Sequence, residues 1–212
     1  MRVRDLGLIE FQEAEDFQLC YMKGRLPGDA GDMLIMAEHP PVVTLGRIAD
    51  ASTVPGLCSF EQQGISVIKV ARGGKTTFHS PGQLLLYPSI DLKARAKDIS
   101  LYIDLLEITI EKSLRELGVN AARISGTRGV WVGMKKIAFT GVSVKRWLTL
   151  HGAAVNINNE LDMFRNIHPC GDPGIKVTSA RQELGVLLDM SIVKDVFARR
   201  FAEDIDIHYG GH

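Results

Sequence analysis

Apolar and polar residues alternate with a period of two through much of the chain. This pattern predicts β-strands, because successive side chains of a strand point to opposite faces of its sheet. The alternation is clearest at residues 129–132, 136–144 and 148–157, and four β-branched residues favour another strand at 65–70. Strands are also predicted at 3–10, 32–38, 42–45 and 84–87, with the prolines at 40 and 41 interrupting one strand that resumes at 42.

Apolar residues recur at helical spacing in three other segments. The strongest predicted helix is 98–117, with a stripe of Leu101, Leu105, Ile108, Lys112 and Leu114 and with Gly118 in the usual stop position. A helix at 13–25, ended by Pro27 and Gly28, carries Cys20 on its apolar stripe, so Cys20 is expected in the core. A last helix runs from Ser191 to about residue 203, and shorter helical segments are predicted within 48–64, at 162–166 and at 179–182.

Strands outnumber helices in the middle of the chain, and helices flank them. This order predicts an α/β or α+β fold with a mixed sheet. The chain has 212 residues, which is enough to bury a sizeable core. We therefore expect residues 1–212 to form a single domain.

The charge balance narrows the function classes. The formal net charge is zero, which argues against a nucleic-acid-binding module, where a basic excess is usual. Residues 62–90 and 117–159 nevertheless contain basic residues and no acidic ones. If these two segments meet, they form a basic face for an anionic substrate or an acidic partner protein; ordinary solvated surface is the alternative.

Cysteine usage and hydropathy indicate the compartment. The three cysteines, Cys20, Cys58 and Cys170, form no C-x-x-C pair and do not make a disulfide framework. No carboxylate or second cysteine stands at metal-ligand spacing beside His168 and Cys170, so no metal site is expected. Nothing in the chain approaches a membrane span of about 18 apolar residues, and no signal-length segment follows the N-terminus. The sequence predicts a soluble cytoplasmic protein without a membrane partner.

Residues 72–83 have the composition of a ligand-binding loop. Glycines at 73, 74 and 82 permit close backbone approach to a ligand, and Arg72, His79 and Gln83 add polar groups around them. The segment is not a phosphate-binding P-loop, because Lys69 stands where that motif requires its first glycine. A dinucleotide-binding G-x-G-x-x-G between a strand and a helix is also absent from the sequence.

A few residues have side chains suited to catalysis. Cys170 lies between Pro169 and Gly171 and is a candidate nucleophile, although a lone cysteine is more often inert packing. Lys135 and Lys136 point to opposite faces of their strand, with Lys136 on the face of Ala138 and Thr140, and periodicity does not decide which lysine is functional. Backbone N–H groups near Cys170 are candidate donors to an oxyanion.

Five motifs occur in consistent order within residues 34–187. They are Glu38-His39-Pro40-Pro41 with Thr44-Leu45-Gly46-Arg47; Arg72-Gly73-Gly74 through Pro81-Gly82-Gln83 to Tyr87-Pro88; Lys136-Ile137-Ala138 with Gly141; His151-Gly152 with Ala154 and Asn156; and Pro169-Cys170-Gly171 followed by Val177-Thr178-Ser179. In these motifs the chain resembles the lipoyl-carrier octanoyltransferases, also called lipoate-protein ligase B. The resemblance implies a lipoate/biotin protein ligase-like domain, related to the catalytic cores of class II tRNA synthetases.

The resemblance also implies the site. Cys170 would be the acyl-thioester nucleophile, and Lys136 would be the lysine that favours its thiolate form. Lys75, Ser80 and Ser143 depart from the residues common in the family. Substrate contacts would come from Arg72, Gly73, Gly74, Lys75, Thr76, Thr77, Phe78 and His79, from Phe139, Thr140 and Gly141, and from Gly152, Ala153 and Ala154.

The implied reaction moves an octanoyl group from octanoyl acyl carrier protein to a specific lysine of a lipoyl domain, without a cofactor. The acceptors would be the lipoyl domains of 2-oxoacid dehydrogenase complexes or the glycine cleavage H protein. Three other interpretations stay open at this stage. They are an ATP-dependent lipoate or biotin ligase, a non-catalytic module that binds acyl carriers, and a thioesterase that pairs Cys170 with His79 or His151.

Overall fold

The computed structural model describes residues 1–25 and 31–209, and within them a mixed sheet is flanked by helices. The strands are β1 Arg2–Leu8, β2 Met33–Glu38, β3 Val42–Leu45, β4 Ser66–Lys69, β5 Thr76–His79, β6 Gln83–Ser89, β7 Val130–Val132, β8 Lys135–Lys145, β9 Leu148–Asn156 and β10 Lys176–Val177. The helices are α1 Phe11–Arg25, α2 Leu57–Gln62, α3 Ile99–Glu116, α4 Ala180–Leu184 and α5 Met190–Tyr209. Pro27 and Gly28, predicted to end the first helix, lie outside the described residues.

Seven strands form the main sheet in the order β1-β2-β6-β9-β8-β10, with β7 also paired to β8. β1 runs parallel to β2, and β10 runs parallel to β8. The other pairs of this sheet, β2 with β6, β6 with β9, β9 with β8 and β8 with β7, are antiparallel. A second sheet has the order β4-β3-β5. The predicted mixed sheet is therefore confirmed. The segment at 42–45 does not resume β2, because it moves into the second sheet after the two prolines.

Both faces of the main sheet are covered, and the alternation along β6 shows how. Leu84 and Leu86 pack in the large cluster under α3 and α5, while Leu85 and Tyr87 pack in the cluster under α1. Strands that are covered on both faces consist almost entirely of buried residues, as all seven residues of β6 are. The side chains of the first face make the larger core, and the second face leads to the site described below.

The helix ends agree with their sequence signals. Asp98 caps α3 by accepting from the Leu101 N–H at 3.0 Å, and Ser179 caps α4 by accepting from the Gln182 N–H at 3.2 Å. Gly185 ends α4 with a φ of 74°, the left-handed conformation that glycine adopts without strain. α5 extends six residues beyond the predicted end at 203, because Ile205 is also buried in the core.

The predicted apolar stripe of α3 is partly wrong. Leu105 and Leu114 are buried as expected, but Leu101 and Ile108 are only half-buried, and Lys112 is exposed. The helix packs against α5 as well as the sheet, so its buried stripe is wider and shifted. The buried residues of α3 are Tyr102, Leu105, Leu106, Glu107, Thr109, Ile110, Ser113 and Leu114.

The expectation that Cys20 lies in the core is wrong, since Cys20 is exposed. The inward face of α1 consists instead of Phe11, Ala14, Gln18 and Met22. Gln18 is polar and therefore hid this face from the hydrophobic pattern; its side-chain oxygen accepts the His151 N–H at 2.9 Å. Among the described residues, no helix is both long and apolar enough to cross a membrane.

Candidate active site

A cavity of about 600 Å³ opens beside the main sheet, between β5, β8, β9 and the turn that carries Cys170. Cys170, Lys136 and all of the predicted substrate-contact residues except Phe78 line it. Phe78 points the other way from its neighbours on β5 and packs against the rings of Phe60 and Phe164, with centroids 6.0 and 5.8 Å away. The structure thus brings together residues that lie far apart in sequence, and it assigns Phe78 to the core.

Cys170 sits in a tight turn that is docked onto β5. Its φ of 56° is uncommon for a residue other than glycine. Its N–H donates to the Thr76 carbonyl at 3.3 Å, and the Gly171 N–H donates to the His168 carbonyl at 2.8 Å. Because these N–H groups already have acceptors, the expectation that they donate to an oxyanion is not supported. The residue itself is exposed to the cavity.

The Lys136 amine meets this thiol. Its Nζ lies 3.3 Å from Cys170 Sγ and 5.1 Å from the ring centroids of both Trp131 and Phe139. Only 4% of Lys136 is exposed. A lysine ammonium in such a place favours a thiolate beside it, and the two aromatic faces stabilise the cation.

A β-bulge explains how Lys136 reaches this side of the sheet. Trp131 pairs with Lys136 while the preceding Val130 pairs with Ala138, so Ile137 is an extra residue in β8. Ile137 and Ala138 consequently both join the core under α3, and Lys136 turns toward Phe139. The prediction that Lys136 shares a face with Ala138 is therefore wrong. Lys135 points away from the thiol and forms an ion pair with Glu183.

Arg72 brings a buried positive charge to the cavity wall. Its guanidinium donates to the Thr44 carbonyl and hydroxyl, each at 2.8 Å, and to the Gly73 carbonyl at 3.1 Å. Burial lowers the pKa of Arg72 to about 10, and a negative charge on Cys170 opposes that shift. No carboxylate in the described part of the chain forms an ion pair with Arg72.

The glycines of the loop are required by close backbone contacts. The Gly46 N–H donates to the Lys75 carbonyl at 2.9 Å, and the Gly73 N–H donates to the Val142 carbonyl at 2.8 Å. A Cβ added at Gly46 would lie 2.3 Å from the Gly74 carbonyl oxygen. Any larger residue would push the loop away from β3 and change the shape of the cavity.

A buried polar network supports the cavity from below. His79 Nδ1 lies 2.7 Å from the side-chain oxygen of Gln83, whose amide nitrogen donates to the Asn156 side chain at 2.9 Å. His79 Nε2 lies 3.2 Å from the Thr44 hydroxyl, which also accepts from Arg72. Burial holds the pKa of His79 well below its usual value, so the ring is neutral at pH 7.

Two further histidines surround the Phe11 ring. His39 Nε2 lies 2.7 Å from the Tyr87 hydroxyl, and burial lowers the pKa of His39. His151 has a φ of 54°, and burial, with a smaller contribution from the charge of Arg72, lowers its pKa to about 4. Neither ring is placed as a hydrogen-bond partner of Cys170. The geometry therefore pairs the thiol with lysine and not with histidine.

The expected basic face is partly wrong. Arg72, Lys75, Arg128 and Lys136 do line the cavity. Acids from other segments nevertheless pair with several basic residues: Arg123 pairs with Glu111 at 3.3 Å, and Arg128 pairs with Asp104 at 2.7 Å. Lys145 and Arg146 lie exposed at the turn between β8 and β9. The acid-free segments of the sequence do not fold into an acid-free surface.

Sequence reasoning missed the apolar cavity wall beyond the predicted Phe139, Ala153 and Ala154. Such residues look like ordinary core positions, and only the folded arrangement leaves space beside them. Tyr87 and His151, which belong to the motifs, also line the cavity. The missed residues are Phe11, Ile48, Leu85, Ile99, Ile103, Val142 and Val144, together with Arg47 and Arg128.

The fold and the site together define a class: an α/β domain that places a lysine amine beside a cysteine thiol on the wall of a cavity. Residues 11–202 match the family described as the lipoyl protein ligase A/B catalytic domain. The chain is 40% identical over 201 residues to an octanoyltransferase of Geobacter metallireducens, covering 95% of this chain and 92% of that protein. It is 39% identical over 206 residues to an octanoyltransferase of Maridesulfovibrio salexigens, with coverage of 96% and 95%. The chain therefore belongs to the octanoyltransferases of the lipoyl protein ligase A/B family.

Solved structures agree on the fold. A lipoate-protein ligase A bound with ATP superposes with a TM-score of 0.79 at 19% identity, covering 96% of this chain and 85% of that one. Biotin protein ligase from Aquifex aeolicus superposes with a TM-score of 0.62 at 12% identity, covering 99% and 72%. At these identities the likeness shows the fold alone, and it confirms the predicted lipoate/biotin ligase-like class.

Proposed function

We propose that the protein transfers an octanoyl group from octanoyl acyl carrier protein to a lysine of a lipoyl domain, through a thioester on Cys170. The distance of 3.3 Å between Lys136 Nζ and Cys170 Sγ carries the proposal. The shared name of the relatives supports the acyl group, and the cavity beside the thiol supports a bound chain. The reaction needs no cofactor, and we place it in the cytoplasm.

In the first step the Cys170 thiolate attacks the carbonyl carbon of the donor thioester. A carbon–sulfur bond forms to Cys170 and the carbon–sulfur bond to the carrier breaks. The carrier sulfur leaves as a thiol with a proton from the Lys136 ammonium, which becomes the neutral amine. One thioester replaces another, so the step requires no ATP. The ammonium of Lys136 and the buried guanidinium of Arg72 both favour the thiolate that begins it.

The tetrahedral intermediate of this step carries a negative oxygen that needs a donor. The Cys170 N–H already donates to the Thr76 carbonyl on β5, and the Gly171 N–H already donates to the His168 carbonyl within the turn. The Lys136 ammonium contacts the sulfur directly, and we assign it the stabilisation of this oxygen.

In the second step the acceptor lysine attacks the Cys170 thioester. A carbon–nitrogen bond forms, the carbon–sulfur bond breaks, and the thiolate is regenerated. The attacking amine must lose a proton, and Lys136 in its neutral form accepts it. The same side chain thus serves as cation in one step and as base in the other.

The acyl tail occupies the apolar part of the cavity, along Leu85, Phe139 and Ala154. Burying seven aliphatic carbons at about 0.8 kcal/mol each offers roughly 5 to 6 kcal/mol of binding. One methylene more or less changes binding by only a few-fold, so selection of eight carbons requires a closed end to the cavity.

The protein partners meet the exposed surface. We assign the lipoyl domains of 2-oxoacid dehydrogenase complexes or the glycine cleavage H protein as acceptors. Charge reversal at Lys145 or Arg146, both exposed and without an ion pair among the described residues, is expected to raise the KM for an acidic carrier by several-fold at low salt and leave kcat unchanged. Steady-state kinetics at two salt concentrations test this, and an unchanged KM at low salt would remove these residues from the docking surface.

Intact-mass spectrometry tests the proposed reaction. The protein is incubated with octanoyl acyl carrier protein, with Cys170→Ala and Lys136→Ala measured beside it. We expect an octanoyl adduct in the wild type, mapped to Cys170 by peptide analysis, that disappears when a lipoyl domain is added. Cys170→Ala should show no adduct.

A different result would identify a different enzyme. Modification of the lipoyl domain from free octanoate and ATP, with full activity in Cys170→Ala, would select a ligase mechanism. Release of octanoate without an acceptor would select a thioesterase. Saturable carrier binding without transfer would leave only a binding module.

A further inference from the structure

We infer that Glu107 is a positioning residue, which holds the backbone wall against which the Lys136 amine lies. Glu107 stands on α3, and only 2% of it is exposed. A buried carboxylate outside the motifs that define the site requires a physical reason, because burial of a charge is costly unless hydrogen bonds compensate it. The inference rests on the proposed function, in which Lys136 acts on Cys170.

Glu107 joins two separate segments of the sheet to α3. One carboxylate oxygen accepts the Gly129 N–H at 2.6 Å and the Thr140 hydroxyl at 3.0 Å. Its other oxygen lies 3.7 Å from the guanidinium of Arg128. Gly129 directly precedes β7 and Thr140 lies on β8, so one side chain sets the position of the strand entry relative to the strand that carries Lys136.

Gly129 links Glu107 to the Lys136 amine, because the Lys136 side chain packs against the Gly129 backbone. Its φ is 91°, and a Cβ built on it would lie 2.4 Å from Lys136 Cε and 3.0 Å from Lys136 Nζ. The methylene chain of Lys136 therefore runs directly over the glycine backbone. Since Nζ also contacts Cys170 Sγ, a displaced Gly129 peptide changes the distance between amine and thiol.

Three other charged groups face the pair. Arg72 lines the cavity from the loop after β4, and Lys75 covers the Cys170 turn, with its side chain over Gly171. Arg128 stands on the α3 side, where it pairs with Asp104 and also lies 3.7 Å from Glu107. Because Glu107→Asp keeps the charge that faces Arg128, a change in the behaviour of the thiol in that variant reports on the Glu107, Gly129 and Lys136 contacts.

Two conservative substitutions separate reach from charge. Glu107→Asp keeps the negative charge but is one methylene too short to hold both donors, whereas Glu107→Gln keeps the reach and loses the charge. The readout is the rate of Cys170 alkylation by iodoacetamide as a function of pH, together with kcat and KM for octanoyl transfer. Cys20→Ser and Cys58→Ser in the background leave Cys170 as the single thiol.

Positioning predicts that Glu107→Asp moves the midpoint pH of alkylation upward by about one unit and lowers kcat about tenfold, with KM within twofold. Glu107→Gln should keep the wild-type midpoint. Thr109→Val is the matched control, because it removes another buried hydrogen bond of α3, from the Thr109 hydroxyl to Asp204 at 2.9 Å. This control should lower Tm and leave the alkylation profile unchanged.

The opposite results would overturn the inference. If Glu107→Asp matches Thr109→Val, with a lower Tm and an unchanged midpoint, Glu107 is a structural anchor. If Glu107→Gln is impaired while Glu107→Asp behaves as wild type, Glu107 affects the thiol through its negative charge and not by positioning Gly129. If Lys136→Met itself leaves the midpoint and the transfer rate unchanged, the proposed function fails, independently of Glu107.

Discussion

The two faces of the main sheet are both buried, but they are built from different chemistry. The face under α3 and α5 packs an apolar cluster that includes Leu34, Tyr102 and Phe197, each fully buried. The face under α1 leads to the cavity and buries Arg72 and neutral histidines among hydrogen-bonded side chains. Apolar burial stabilises the chain without regard to direction, whereas a buried polar group must have each partner in place.

This difference separates the residues that stabilise the fold from the residues that take part in the chemistry. A side chain of the apolar face is replaceable by another of similar volume, because only packing is at stake. A side chain of the cavity face has a defined direction, as the chain of bonds from Thr44 through His79 and Gln83 to Asn156 shows. The cavity face therefore contributes geometry to a reaction, and the apolar face holds that geometry together.

The largest expected effect is that of Lys136→Met, on the cavity face. It keeps the length of the side chain and removes the amine, so the transfer rate should fall by about 10²- to 10⁴-fold. Stability should stay equal or rise, since an apolar residue replaces a buried cation. Single-turnover transfer and a denaturant titration measure the two effects. A large loss of stability with little loss of rate would reverse the roles of the two faces.

Phe197→Ala makes the reciprocal change on the apolar face. Phe197 lies on α5 and is fully buried, and its truncation should cost about 3 to 5 kcal/mol of unfolding free energy. The transfer rate per folded molecule should stay within about twofold. Urea unfolding, followed by activity measured on the folded fraction, gives both numbers. Lost activity in fully folded protein would show that the two faces are not separable.

A drop in pH should act on the cavity face, where the buried histidines lie. The pKa values of His39, His79 and His151 are lowered by burial, so the unfolded chain takes up protons below about pH 6.5 that the folded chain does not. The free energy of unfolding should fall by about 2 to 4 kcal/mol between pH 7 and pH 5, and it should decrease further toward pH 4. Glu15, whose pKa burial raises, opposes this slightly.

The control for this prediction is the apolar face. The stability cost of Phe197→Ala, measured at pH 7 and again at pH 5, should be the same, because that ring packs in a cluster of hydrophobic side chains. A stability that is flat between the two pH values would mean that the buried histidines are protonated in the fold.

Cys20→Ser should have the smallest effect. Cys20 is exposed on α1, so its replacement should change the unfolding free energy by less than about 0.5 kcal/mol and leave transfer unchanged. Cys58 is a second exposed cysteine, and Cys58→Ser serves as a comparison. A cost comparable to that of Phe197→Ala would place Cys20 in the core after all.

The elements and the polar members of the site followed from local patterns. Strand alternation, the caps at Asp98 and Ser179 and the stop at Gly185 each depend on residues close in sequence, so their outcome was predictable. The cavity-lining motifs were predictable because glycines and polar side chains in a loop have few structural uses. Phe78 is an exception within its motif, since its neighbours line the cavity while its own ring faces the core.

The facing of individual side chains was less predictable. One extra residue at Ile137 reverses the alternation of β8, and no local pattern marks it. The polar Gln18 concealed the inward face of α1 in the same way, because its partner is the backbone of His151, far along the chain. Ion pairs such as that of Arg123 with Glu111 likewise joined acid-free segments to distant acids.

By itself the sequence determined the fold class, the secondary structure and the family, because these depend on periodicity, on caps and on motifs that are local in the chain. Only the tertiary structure decided how Lys136, the lysine implied by the resemblance, comes within 3.3 Å of Cys170 Sγ, and that Glu107 reaches Gly129. The physical reason is that these contacts join residues on four different elements. Their distances depend on a bulge, a helix docking and a turn conformation that no single segment encodes.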